Sequence, residues 1–143
     1  MKKKLLPLAL MFVSVAGMAT EFSVIKAATP NLITVPRGTG LSVYNIVSTD
    51  MHGSFLSHID SIEWSTTGYP QSVGERVELC FRAVRKVPRC VAIAPNSSGT
   101  SRDFNNEYFT PGAGVNIRHT TEAGGARNSR PSGQDTVRFN VRY

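Results

Sequence analysis

Apolar and polar residues alternate with a period of two through much of this chain. The clearest case runs from Val77 to Ile93. Val77, Leu79, Phe81 and Ala83 share one face, and Glu78, Cys80 and Arg82 share the other. On the return, Val91 and Ile93 point one way and Cys90 and Ala92 the other. Such alternation marks a strand with one buried face. Two such segments joined by the short stretch Val84 to Pro88 predict a β-hairpin. Both cysteines then leave the apolar face on the same side. Facing positions on antiparallel arms bring Cβ atoms to the roughly 4 Å that a disulfide requires. A cross-hairpin Cys80–Cys90 disulfide is therefore expected.

The same period recurs elsewhere. Leu41 to Val47, Ile59 to Thr66, Val115 to His119 and Thr136 to Tyr143 all read as strands, with Leu32 to Val35 a shorter one stopped by Pro36. In the last of the long strands Val137, Phe139, Val141 and Tyr143 oppose Arg138, Asn140 and Arg142. Glu21 to Ala28 reads as an irregular arm. After Pro95 to Gly99 the chain reads as less regular, and Thr120 to Gly133 as a long Gly, Arg and Ser loop. Phe104, Tyr108 and Phe109 are expected at the core or its rim. No stretch of about ten residues after the first twenty carries the apolar stripe of a helix. The expected fold is all-β, a small antiparallel β-sandwich of about 7–8 strands with one disulfide across a hairpin.

Only the start of the chain departs from this pattern. Lys2, Lys3 and Lys4 precede an uncharged apolar run from Leu5 to Val15, followed by the small residues Ala16, Gly17 and Ala19. That is the layout of a secretory signal peptide. The run is shorter than the roughly 20 apolar residues a membrane-spanning helix needs. Cleavage is expected after Ala19, with Ala28 as the alternative. Residues 1–19 are then a signal peptide and residues 20–143 a single domain, with no transmembrane segment after cleavage. The short n-region looks bacterial, which places the protein in the periplasm, or alternatively at the cell surface or outside. The precursor charge is +6, but without the leading lysines 13 Lys and Arg face 10 Asp and Glu, a balance of +3. Export and this modest charge together argue against a nucleic-acid partner.

Chemistry-bearing constellations are sparse. The histidines are His52, His58 and His119, and the spacing of the first two matches no metal-binding pair. They read as ordinary loop or surface histidines. No Gly-x-Ser-x-Gly elbow supports a hydrolytic triad. Two cysteines ten residues apart do not form a redox Cys-x-x-Cys pair. The expectation is a protein that is not an enzyme and carries no cofactor or metal. Arg82, Arg85, Lys86 and Arg89 gather four positive charges around the hairpin tip. They offer a contact for an anionic envelope surface or a protein partner. The competing reading is a solvated tip whose charges discourage edge-to-edge aggregation. Trp64, on an alternating strand, reads as core in preference to a sugar-stacking platform.

Several short motifs occur in a suggestive order: Ile62-Glu63-Trp64, then Val77-Glu78-Leu79-Cys80, Arg89-Cys90-Val91, Ser98-Gly99-Thr100 and Val137-Arg138-Phe139-Asn140. Their order and spacing resemble the FlhE family of flagellar proteins, over roughly Ile59 to Tyr143. The resemblance implies a turn at Ser98-Gly99-Thr100 and a non-enzymatic periplasmic accessory of the flagellum. Its partners would be flagellar export or rod components. Its role would be chaperone-like, limiting proton leak through the export apparatus. A fimbrial or surface structural subunit and a glycan-binding β-sandwich are the alternatives to this role.

Overall fold

A computed structural model describes residues 20–34, 37–53, 56–122, 125 and 127–143. The expected signal peptide, residues 1–19, lies outside the described residues. Among the described residues eight strands are present: β1 Glu21–Ala28, β2 Thr39–Asn45, β3 His58–Ser65, β4 Arg76–Arg82, β5 Arg89–Ile93, β6 Ser98–Ser101, β7 Gly114–Thr120 and β8 Asp135–Arg142. They form two four-stranded sheets, ordered β1-β8-β3-β6 and β2-β7-β4-β5, with every pair antiparallel. This is the expected β-sandwich. Among the described residues no helix is long and apolar enough to cross a membrane.

The core follows from the alternation. Val77, Leu79 and Phe81 of β4, Val115 and Ile117 of β7, and Val137, Phe139 and Val141 of β8 are all buried. Each large apolar side chain removed from water stabilises by about 1.5–3 kcal/mol. Phe104 and Phe109 are buried as well, each from the connection between β6 and β7, whereas Tyr108 stays at the surface. Strand β3 breaks strict alternation. A register shift between Ile59 and Ser61 inserts Asp60 as an extra residue. That bulge turns both Ile59 and Ile62 inward.

The structure corrects three sequence expectations. Glu21–Ala28 is not irregular. It pairs residue by residue with β8, from Glu21↔Arg142 to Ala28↔Asp135. Phe22 and Val24 pack on the core from this strand, and the inward Lys26 is neutralised by Asp50 at 2.7 Å. An inward lysine on an edge strand blocks further pairing, and it also makes the pattern poor for a strand when read along the chain. Ser98–Ser101 is the edge strand β6, paired with Ile62–Ser65 of β3. Gly99 lies opposite Trp64, and a Cβ there would stand 2.7 Å from indole Cζ2. The glycine that suggests a turn makes room for the ring. The expected strand Leu32–Val35 is reduced, within its described part, to one bridge between Ile33 and Ser129.

Candidate functional site

The β4–β5 hairpin is built as its alternation demands. Cys80 pairs with Cys90, flanked by Leu79↔Val91 and Phe81↔Arg89. The sulfurs are bonded at 2.06 Å, with the Cα atoms 4.0 Å apart. The inward phase carries Val77, Leu79 and Phe81, so the disulfide lies on the outer face of its sheet. It ties edge strand β5 to β4 just below the tip.

The four cations of the tip divide into two pairs. Arg82 is held against the sheet: Nε donates to Asn116 Oδ1 at 3.0 Å, and an Nη donates to Asn45 Oδ1 at 2.6 Å. Arg89 reaches across to the β6–β7 connection, where it donates to Glu107 at 2.8 Å and lies over the Phe104 ring at 5.6 Å. These two arginines lock the hairpin in place. Arg85 and Lys86 make no side-chain hydrogen bond or ion pair among the described residues. Arg85 adopts a left-handed backbone at φ 57°, as the reversal of a tight hairpin requires. The tip therefore presents two free cations on a rigid base.

A second cluster lies at the opposite end, between the sheets. His119 of β7 and Asp135 of β8 are fully buried. His119 Nε2 lies 2.8 Å from Asp135 Oδ2, and Nδ1 lies 2.7 Å from Glu75 Oε1. Asp135 also accepts the Ser42 hydroxyl at 2.7 Å and the Thr67 amide at 2.8 Å. Its backbone carbonyl accepts the Tyr44 hydroxyl at 2.8 Å. Burial pulls the imidazolium pKa down. The hydrogen bonds and charges of Asp135 and Glu75 outweigh it and push the value from 6.5 up to about 9. At neutral pH the ring is thus a cation donating from both nitrogens. Burial and the nearby carboxylates push the Tyr44 and Tyr69 hydroxyls well above the ordinary tyrosine value. No buried side-chain N or O among the described residues lacks a hydrogen-bond partner.

Ser42, His119 and Asp135 are the residue types of a catalytic triad, but the geometry is not nucleophilic. The serine donates to the aspartate instead of to the imidazole. The ring has both nitrogens occupied and no exposed surface. What the cluster does is join β2, β7 and β8 across the sandwich, as a charge-assisted polar latch.

The disulfide and the basic tip stand where the sequence places them. His119 does not: it is a core residue, not a surface one, and its partners Asp135 and Glu75 carry no motif of their own. The signal for them is in the phase of the strands. His119 follows Val115 and Ile117 on the inward face, and Asp135 precedes Val137 and Phe139 on theirs. His52 and His58 lie in other surroundings, beside Phe22 and Tyr108 respectively.

Neither a protein-family model nor a curated protein matches this chain. Among solved structures, the crystal structure of FlhE aligns with a TM-score of 0.64 at 17% sequence identity, covering 87% of this chain and 100% of that one. The chain shares the fold of FlhE, the family its motifs resemble.

Proposed function

We propose that this protein is a periplasmic, non-enzymatic flagellar accessory protein of the FlhE kind. It acts in a chaperone-like way on an assembling export or rod component and limits proton leak through the flagellar export apparatus. The observation that carries the proposal is the fold alignment along the whole FlhE chain. It coincides with motifs that resemble the family in order and spacing. The disulfide-closed hairpin suits an oxidising compartment. A role of this kind requires a rigid surface for a partner, which suits a small sandwich whose hairpin is closed by a disulfide. Deleting the gene tests the reading. Altered motility and greater sensitivity to external acid are expected, and wild-type behaviour in both assays would refute it.

The fimbrial alternative requires a spare donor strand. Strand β1, the N-terminal strand of the domain, is already bonded along its length to β8 of its own sheet. That argues for the accessory role over an assembled subunit.

A further inference from the structure

Ten large apolar side chains are exposed among the described residues, and six of them gather at the hairpin-tip end of the sandwich. They arrive on separate loops: Val47 after β2, Leu56 before β3, Val84 and Val87 in the tip, Tyr108 before β7 and Tyr143 after β8. Strand register brings them together. Gly114 pairs with both Asn45 and Arg82, while His58 pairs with Arg142 and bridges to Tyr108. A small cavity lined in part by Val84, Lys86 and Tyr108 joins the tip to the neighbouring loop. Val87 is 86% exposed and Leu56 68%, unusual for aliphatic side chains at one end of a small domain.

The charges at this end are uneven in their commitments. Asp50 is paired with Lys26, Glu107 with Arg89, and Asp60 with Arg102 and Arg142. Asp103 accepts the Ser101 hydroxyl. Glu21 stands at the start of β1 without an ion pair among the described residues. Arg85 and Lys86 are likewise unpaired, and they project between the two exposed valines in the sequence Val84-Arg85-Lys86-Val87.

We propose that this end of the sandwich docks on the surface of an anionic phospholipid bilayer. Val84 and Val87 enter the boundary between headgroups and acyl chains, with Leu56 beside them. Tyr108 and Tyr143 sit at headgroup level, and Arg85 and Lys86 meet lipid phosphates. A protein–protein interface has a contiguous apolar core depleted of lysine. Here cations and aliphatic side chains interleave at protruding loop ends, the pattern that suits a headgroup layer. The Cys80–Cys90 bond and the Arg89–Glu107 pair already hold the tip, so docking orders little additional chain. The inference does not depend on a flagellar role.

Co-sedimentation of the purified, oxidised protein with vesicles tests it. Binding is expected to phosphatidylglycerol-rich vesicles and not to pure phosphatidylcholine. Reversing both tip charges, Arg85→Glu with Lys86→Glu, should weaken binding by at least about 10-fold, given the contribution of each basic residue near an anionic surface. Val87→Ser should weaken it by about 3-fold or more through lost apolar burial. Arg127→Glu with Arg130→Glu, in the loop at the opposite end, makes the same change in net charge and should shift binding by less than about 2-fold. These positions are exposed, and melting curves that match the parent show that each variant folds. Absence of binding to anionic vesicles would overturn the proposal. So would equal losses from the two charge reversals, or a Val87→Ser variant that binds like the parent.

Discussion

His119 carries a charge that the fold itself creates. Its imidazolium is held between Asp135 and Glu75 in a fully buried site, so its pKa stands at about 9 against an ordinary 6.5. A group whose folded pKa is raised adds stability in its protonated form. That contribution is complete below pH ~6.5 and disappears as the pH climbs through ~9. A shift of this size corresponds to a contribution on the order of 3 kcal/mol. Melting temperature is therefore expected to fall as the pH rises from ~6.5 through ~9, and to level off below ~6.5, as far as His119 decides it. In His119→Gln that alkaline slope should be lost. A slope identical in the variant and the parent would assign the titration elsewhere. His119→Ala leaves the buried Asp135 carboxylate, and the partly buried Glu75 beside it, without their cation, which should cost roughly 3–5 kcal/mol in chemical denaturation.

The hairpin and the edge strand β6 answer to different forces. In the hairpin, alternation and covalent closure agree. Either Cys80→Ser or Cys90→Ser should lower stability by roughly 2–4 kcal/mol, measured by denaturant unfolding of oxidised protein. Equal midpoints for variant and parent would mean the bond does not restrain the unfolded chain. In β6 the decisive contact is between Gly99 and the Trp64 ring. Gly99→Val should push the indole off the sheet and cost roughly 1–3 kcal/mol, seen as a lower melting temperature and a shift in the fluorescence of the chain's one tryptophan. This contrast explains what was legible in the sequence. Strands with one apolar face, such as Val77 to Phe81 and Val137 to Val141, declare themselves by period. The edge strands of the first sheet, β1 and β6, do not. β1 hides an inward lysine whose partner, Asp50, lies beyond β2, and β6 is four residues whose glycine matters only once Trp64 is opposite. The bulge at Asp60 likewise exists only in the pairing of β3 with β8. The disulfide and the tip cations were readable as local features. The His119 latch was not, because Glu75, His119 and Asp135 converge only after the two sheets face each other.

At the scale of the whole molecule, the two ends of the sandwich are built differently. One end is sealed by the buried latch, and the other carries the exposed tip and its apolar loops. The N-terminal strand runs the full distance between them. It begins at Glu21 opposite Arg142 and finishes at Ala28 opposite Asp135, the residue that anchors the latch. Before it, the Thr20 carbonyl accepts the Tyr143 amide at 3.2 Å. This arrangement bears on where the chain would begin if the expected signal peptide is removed. Cleavage after Ala28 would remove the whole strand. It would strip Phe22 from Phe109 and expose the edge of β8, a row of unpaired backbone groups along an apolar strand. Cleavage after Ala19 leaves the strand intact from its first residue. The mature protein is therefore expected to start at Thr20, which intact mass and N-terminal sequencing of the exported material would establish. A chain made to start at Thr29 should melt far lower or aggregate. If the exported material itself begins at Thr29 and is stable, β1 is dispensable, and the first sheet must close its edge in some other way.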